Sequence, residues 1–198
     1  KVKNRDDVRL IVNHSRRFNL KYHKLRDLIS SRHYGELIRI RWTYYGGWLH
    51  NGVHVIDTLR MILDSDLEIK SVNKGYKGRS EDPCLEMELT AEKHPSARVI
   101  IDSFPESAFQ LFDTEICFEN ARVSLTNFGE DIHIEKVYTN KIGERELSKA
   151  EKFEVIEKNS SMSQLYLDCV DFLHNQNKSI IKQAGIETAC KTMEFLHE

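Results

Sequence analysis

The sequence predicts an α+β fold: a predominantly antiparallel, open-faced sheet with helices packed on one face. Three observations lead there. Helical periodicity gathers at the two ends of the 198 residues. Between them, from Leu67 to about Ile156, apolar side chains recur every second residue, as in strands with one buried face. About four helices are too few to cover both faces of a sheet of about six or seven strands, which leaves one broad face for a partner domain or a second subunit.

In chain order, Val8 to Val12 reads as a short apolar strand. Asn19 caps a helix whose apolar stripe is Tyr22, Leu25, Leu28 and Ile29, and Gly35 ends it. Leu37 to Tyr45 alternates as a strand, and Gly46 and Gly47 break it before a second helix from about Asn51 to Leu63. In the period-two region Leu85, Met87 and Leu89 alternate with Glu86 and Glu88; Ala121, Val123 and Leu125 with Arg122 and Ser124; Ile132 and Ile134 with His133 and Glu135. Turn residues at Asn73-Lys74-Gly75, His94-Pro95 and Asn127-Phe128-Gly129 divide it into a meander. Lys141 to Lys152, charge-rich around Gly143, reads as a mobile loop. Two amphipathic helices close the chain, one with the stripe Met162, Leu165, Tyr166, Cys169, Val170 and Leu173, the other with Ile186, Ala189, Cys190, Met193 and Leu196.

Composition narrows the function. Lys and Arg total 29 against 31 Asp and Glu, a formal net charge of -2, so no overall field draws the chain to nucleic acid or anionic membrane. No apolar run approaches the roughly 20 residues that span a bilayer, and KVKNRDDVRL lacks the apolar centre of a signal peptide. A cytoplasmic protein is expected. Cys84, Cys117, Cys169 and Cys190 lie far apart with no CxxC pair, which favours reduced thiols. The first residue is Lys rather than Met, and a fragment of a longer chain is expected.

The chemistry concentrates in GGWLHNGVHVIDTLR, Gly46 to Arg60. On a helix beginning near Asn51, His50, His54 and Asp57 share one face, because positions three and four apart are neighbours. Three readings compete. The trio can hold zinc or iron, although no HExxH pattern or further nearby ligand supports it. It can be structural, with the histidines satisfying backbone groups and Asp57 paired with Arg60 or another arginine. Or a histidine near neutral pKa moves the proton of a bound alcohol or ketone. Tyr44, Tyr45, Trp48 and Asn51 offer ring faces and hydrogen-bonding groups that suit a sugar, and Gly46 and Gly47 permit close backbone approach. Arg39 and Arg41, beside Trp42, read as a solvated or salt-bridged strand face. His14, His23 and His33 are not at ligand spacing and read as surface or interface residues.

The stretch IVNHSRRFNLKYHKLRDLISSRHYGELIRIRW, followed by YYGGWLHNGVHVIDTLRMIL, resembles the start of the C-terminal domain of the glucose-fructose oxidoreductase and inositol dehydrogenase (Gfo/Idh/MocA) family. The resemblance implies a glyceraldehyde-3-phosphate-dehydrogenase-like C-terminal domain over residues 15–198, with 1–14 the remnant of a linker strand from an N-terminal Rossmann domain. It implies a substrate-binding half of an NAD- or NADP-dependent oxidoreductase acting on a hydroxyl or ketone of a sugar, nucleotide-sugar or polyol. His54 matches the active-site histidine and Asp57 the acid of the GxHxxD pattern. Tyr45, Gly46, Gly47, Trp48, Asn51 and Asp57 would lie along the substrate pocket. Arg17 would be a domain-interface or cofactor-side residue. Many family members carry an Asp four residues before the histidine; here it is His50, an alternative relay partner or substrate hydrogen bonder. No GxGxxG after a strand and no Glu-Lys-Pro segment is present, so the dinucleotide would be bound mainly by the Rossmann domain, and the isolated piece is expected to be inactive. The implied partners are a sugar substrate, the chain's own Rossmann domain, and a second copy across the open sheet face. A non-catalytic sugar-binding or scaffold protein, and a metal-dependent hydrolase using His50, His54 and Asp57, are the alternatives.

Overall fold

A computed structural model describes residues 10–76, 82–175 and 178–197. The α+β prediction holds. Helix α1 (Leu20–Ser30) starts where Asn19 accepts the backbone N–H of Lys21 at 2.8 Å. It ends five residues before Gly35, because Arg32 already takes a left-handed conformation at φ 51°. Strand β1 is Leu37–Tyr45, as its alternation predicts. After Gly46 and Gly47 the chain makes one π-type turn, Trp48–Gly52, before helix α2, Val53–Leu63. Strands β2 (Leu67–Lys74), β3 (Leu85–Ala91), β4 (His94–Phe104), β5 (Phe112–Phe118), β6 (Ala121–Thr126) and β7 (Asp131–Thr139) follow.

Four expectations are corrected here. His94-Pro95 is not a turn but the start of β4; the reversal falls at Glu92 and Lys93. The stretch Lys141 to Lys152 is not simply a loop, for it carries β8 (Arg145–Leu147) and β9 (Glu151–Lys152), both paired antiparallel with β7. The sheet is not one meander: its order is β2-β3-β4-β1-β5-β6-β7-β8. Strand β1 lies between two meanders, antiparallel to β5 but parallel to β4, with Trp42 opposite Ile101. Within Val8 to Val12, Val8 and Arg9 lie outside the described residues, and the rest makes a single bridge, Ile11 to Gly185.

Helices α1 and α2 pack on one face of the sheet. Ile40, Trp42, Tyr44, Leu89, Val99, Ile101, Ile116 and Val123 meet Tyr22, Leu25, Val55, Ile56 and Leu59 in one core. Tyr44 ties β1 to β3: its hydroxyl donates to the Leu85 carbonyl at 2.9 Å and accepts the Leu85 N–H at 2.7 Å. The opposite face is polar and laced with ion pairs. Arg39 meets Glu115 at 2.7 Å, Arg98 meets Glu88 at 3.0 Å and Arg122 meets Glu135 at 2.6 Å.

The closing segment holds three helices where two were expected: α3 (Ser161–Asn175), α4 (Ser179–Ala184) and α5 (Ile186–Leu196). Of α3's predicted stripe only Leu165 is buried, against Phe18, Ile180 and Ala184, whereas Tyr166, Val170 and Leu173 are exposed. Helix α5 is rotated from its predicted stripe and buries Thr192, Phe195 and Leu196. Among the described residues no helix is long and apolar enough to cross a membrane.

Candidate functional site

The short 3-10 turn Ser15–Phe18 precedes α1 and sends two adjacent arginines in different directions. Arg17 turns inward onto Asp57 of α2. Its Nε donates to Oδ2 at 2.8 Å and its Nη2 to Oδ1 at 2.9 Å, a two-pronged clamp. Thr192 of α5 adds a third donor, Oγ1 to Oδ1 at 3.2 Å. Asp57 is 1% exposed and Thr192 0%. The clamp therefore locks the entry turn, α2 and α5 together beneath the surface, and the carboxylate expected in the substrate pocket is instead engaged on both oxygens.

His14 and His54 lie above this clamp. Their rings meet edge to face with centroids 6.1 Å apart. His14 Nδ1 stands 3.6 Å from Asp57 Oδ2, too far for a hydrogen bond, and is buried without a partner. His14 is thus an inner residue of the site, not the surface residue its spacing suggested. Burial lowers its pKa, the Asp57 carboxylate opposes that, and Arg17 and Arg16 add to the lowering. His54, on the first turn of α2, is half-buried. Burial pushes its pKa down to about 4, with help from the positive charges of Arg16 and then His14. Its imidazole is neutral at physiological pH.

The glycine pair has a structural cause. Gly46 sits at φ +74°, and Gly47 lies so near Asp82 that an added Cβ would be 1.9 Å from its carboxylate. Asp82 accepts the N–H groups of Leu49 and His50 at 2.7 and 2.8 Å, capping the π-type turn from a distant loop. Asn51 is buried, and its side-chain amide donates to the Tyr45 carbonyl at 2.7 Å. Trp48 is buried in the core, and its ring nitrogen has no partner. Gly47, Trp48 and Asn51, expected along the substrate pocket, thus also hold the loop from within. Tyr45 is half-buried and meets Phe128 edge-on at 6.0 Å. His50 is exposed on the π-type turn, and because that turn is not α-helical it does not stack on His54 as α-helical spacing requires.

The metal-hydrolase alternative loses Asp57 as a free ligand, since Arg17 engages both of its oxygens. Among the described residues no group of three His, Cys, Asp or Glu side chains converges to hold a metal. The phosphates of a dinucleotide do not fit either. Strand β1 does run through glycines into a helix, but the amides there are already taken by Asp82. Sequence reasoning missed Asp82, Thr192, Arg16 and the inward turn of His14; the doubled arginine before Phe18 was the one local signal available. A charged cleft of about 530 Å³ lies on the far side of the clamp, lined by Arg17, Arg60, Lys182 and Lys191 but not by His54.

The chain combines an open mixed sheet carrying helices on one face with a buried clamp of arginine and aspartate under a histidine. This is the fold implied by the Gfo/Idh/MocA resemblance. Solved structures bear it out. The chain is similar to the MviM dehydrogenase from Clostridium difficile (TM-score 0.68, 18% identity), covering 95% of this chain and 60% of that one. It is similar to a super-repressor mutant of Gal80p from Saccharomyces cerevisiae (TM-score 0.71, 12% identity; 96% and 62%). It is also similar to KijD10, a 3-ketoreductase from Actinomadura kijaniata in complex with TDP-benzene and NADP (TM-score 0.67, 14% identity; 95% and 59%). The chain thus spans about 60% of the length of the solved chains it matches. No family model and no curated protein matches it by sequence.

Proposed function

We propose that this chain is the substrate-binding half of a cytoplasmic NAD- or NADP-dependent oxidoreductase acting on a hydroxyl or ketone of a sugar, nucleotide-sugar or polyol. His54 is its proton-relay residue. The observation that carries the reading is a half-buried imidazole kept neutral by burial and by Arg16, on a helix anchored by the Arg17–Asp57 clamp. A neutral imidazole accepts the hydroxyl proton of an alcohol as it becomes a ketone and returns it in reduction. The clamp keeps α2, and so the ring, from shifting. A bound nicotinamide supplies the hydride acceptor or donor.

In this reading residues 1–14 link to a nucleotide-binding Rossmann domain, and residues 15–198 bind substrate and associate through the polar sheet face. The Rossmann domain supplies the second wall of the His54 pocket, with Tyr45 and Gly46 along the rim and Arg17 behind them. In the full-length protein, His54→Asn should lower kcat/KM by about 10²–10⁴ while leaving KM nearly unchanged. The group must be neutral to accept a proton, so activity should fall as pH drops through about 4, well below the usual histidine range. Steady-state kinetics with NAD(H) and NADP(H) against a sugar and polyol panel checks both. Wild-type turnover in His54→Asn, or cofactor reduction by residues 1–198 alone, overturns the reading.

A non-catalytic binding or scaffold protein is the second reading, and the likeness to a Gal80p super-repressor mutant favours it. Sugar and cofactor binding by the full-length protein without any turnover would establish it.

A further inference from the structure

Arg16 is a chemically prominent residue beside His54 that the proton-relay reading leaves unused. Arg17, Arg39, Arg41, Arg60, Arg98 and Arg122 each meet a carboxylate. Arg16 meets none among the described residues. Its guanidinium lies 4.3 Å over the ring of Phe112, and its Nε–H is buried without a partner. The rest of the side chain is part-exposed, and it acts on His54 more strongly than any other charge. It interacts with the Tyr22 hydroxyl, but a guanidinium that meets no carboxylate among the described residues, next to a neutral imidazole, is matched by an anionic ligand group.

The surroundings give that ligand a second feature. Phe128 lies parallel to Phe112, with planes 4° apart and centroids 6.2 Å apart, and Tyr45 meets its edge. Phe128 is 40% exposed and held at φ 59°, a left-handed conformation that glycine adopts freely and a bulky residue rarely does. An apolar ring kept at a surface in a strained backbone marks a place where a ring face is used.

We propose that Arg16 and Phe128 form a recognition subsite beside His54 for a sugar acid: the carboxylate on Arg16, an apolar C–H face on Phe128, and a hydroxyl within reach of His54. The inference rests on the reading of His54 as the proton-handling residue. A carboxylate fits better than a phosphate, because Arg16 is a single cation. Arg17 is committed to Asp57, Lys21 to Glu130, and the nearby turn amides to Asp82.

Isothermal titration of the full-length protein with D-glucuronate, D-glucose, D-galacturonate, D-galactose and glucose 6-phosphate tests this. At least one uronate should bind roughly tenfold or more tighter than its neutral partner, the size expected of a hydrogen bond to a charged group. Arg16→Gln should bring each pair within about twofold, and Arg16→Lys should restore part of the difference, since charge returns without the planar fork. Thermal melts of both variants separate lost recognition from lost folding. No acid preference in either pair, a preference surviving in Arg16→Gln, or tighter binding of glucose 6-phosphate than of both uronates overturns the proposal. His54→Asn should retain the acid preference; if it also retains full turnover, the relay reading fails while the subsite stands.

Discussion

Asp57 shows how tertiary contacts select among readings a motif leaves open: of the alternatives for it, the pairing with an arginine elsewhere in the chain is the one the fold contains. On the helix it shares a face with His54, which suggests a pocket-lining acid. In the fold its oxygens are taken by Arg17, 40 residues earlier, and Thr192, 135 residues later. Removing one member of a buried pair leaves the other charge unpaired and desolvated. Asp57→Ala should therefore destabilise the protein by about 3–5 kcal/mol, read from the urea midpoint. A loss below about 1 kcal/mol would mean the clamp is not structural. His54 belongs to the same scale but a different logic: the motif located it, while its lowered pKa comes first from burial and then from Arg16 and His14, which no spacing rule pairs with it.

Elements were legible where their cause is local. Asn19 capping α1 and the alternation of β1 are decided within a few residues, and both came out as expected. Helix α2 is the element that joins site and core: Ile56, Leu59 and Ile62 are essentially unexposed on one side, while His54 begins the other. Leu59→Ala should cost about 2–5 kcal/mol, depending on how far the site collapses, and should shift the urea midpoint without changing the slope. A changed slope would indicate a loosened native state instead. Strands β8 and β9 read as a loop because they are short and charged, as edge strands often are to discourage further pairing. Helix α5 was misaligned because its inner face includes Thr192, a polar residue that burial tolerates only once Asp57 accepts its hydroxyl.

At the scale of the whole molecule, the chemistry of the open sheet face is ionic rather than apolar. Rows of Arg–Glu pairs flank Ile100, which sits between Arg41 and Glu88 in register. If two copies meet there, Ile100→Lys should raise the dimer dissociation constant at least tenfold, the effect of about 1.4 kcal/mol, and added salt should weaken the dimer further. Sedimentation of the full-length protein measures both; dimers indifferent to the substitution would place the contact elsewhere. On α3, Leu165, Cys169 and Phe172 pack on the small cluster around Phe18, while Tyr166, Val170 and Leu173 are exposed.

By itself the sequence determined the class of fold and most element boundaries, because periodicity and capping are written within a turn or a strand. Only the tertiary structure decided that β1 runs parallel to β4, that Asp82 holds the glycine turn, and that Arg17 clamps Asp57 while Arg16 lies over the ring of Phe112. Those outcomes depend on which distant segments close upon each other, and adjacent residues of identical type, such as Arg16 and Arg17, acquire opposite roles only when the chain has chosen what stands on either side of them.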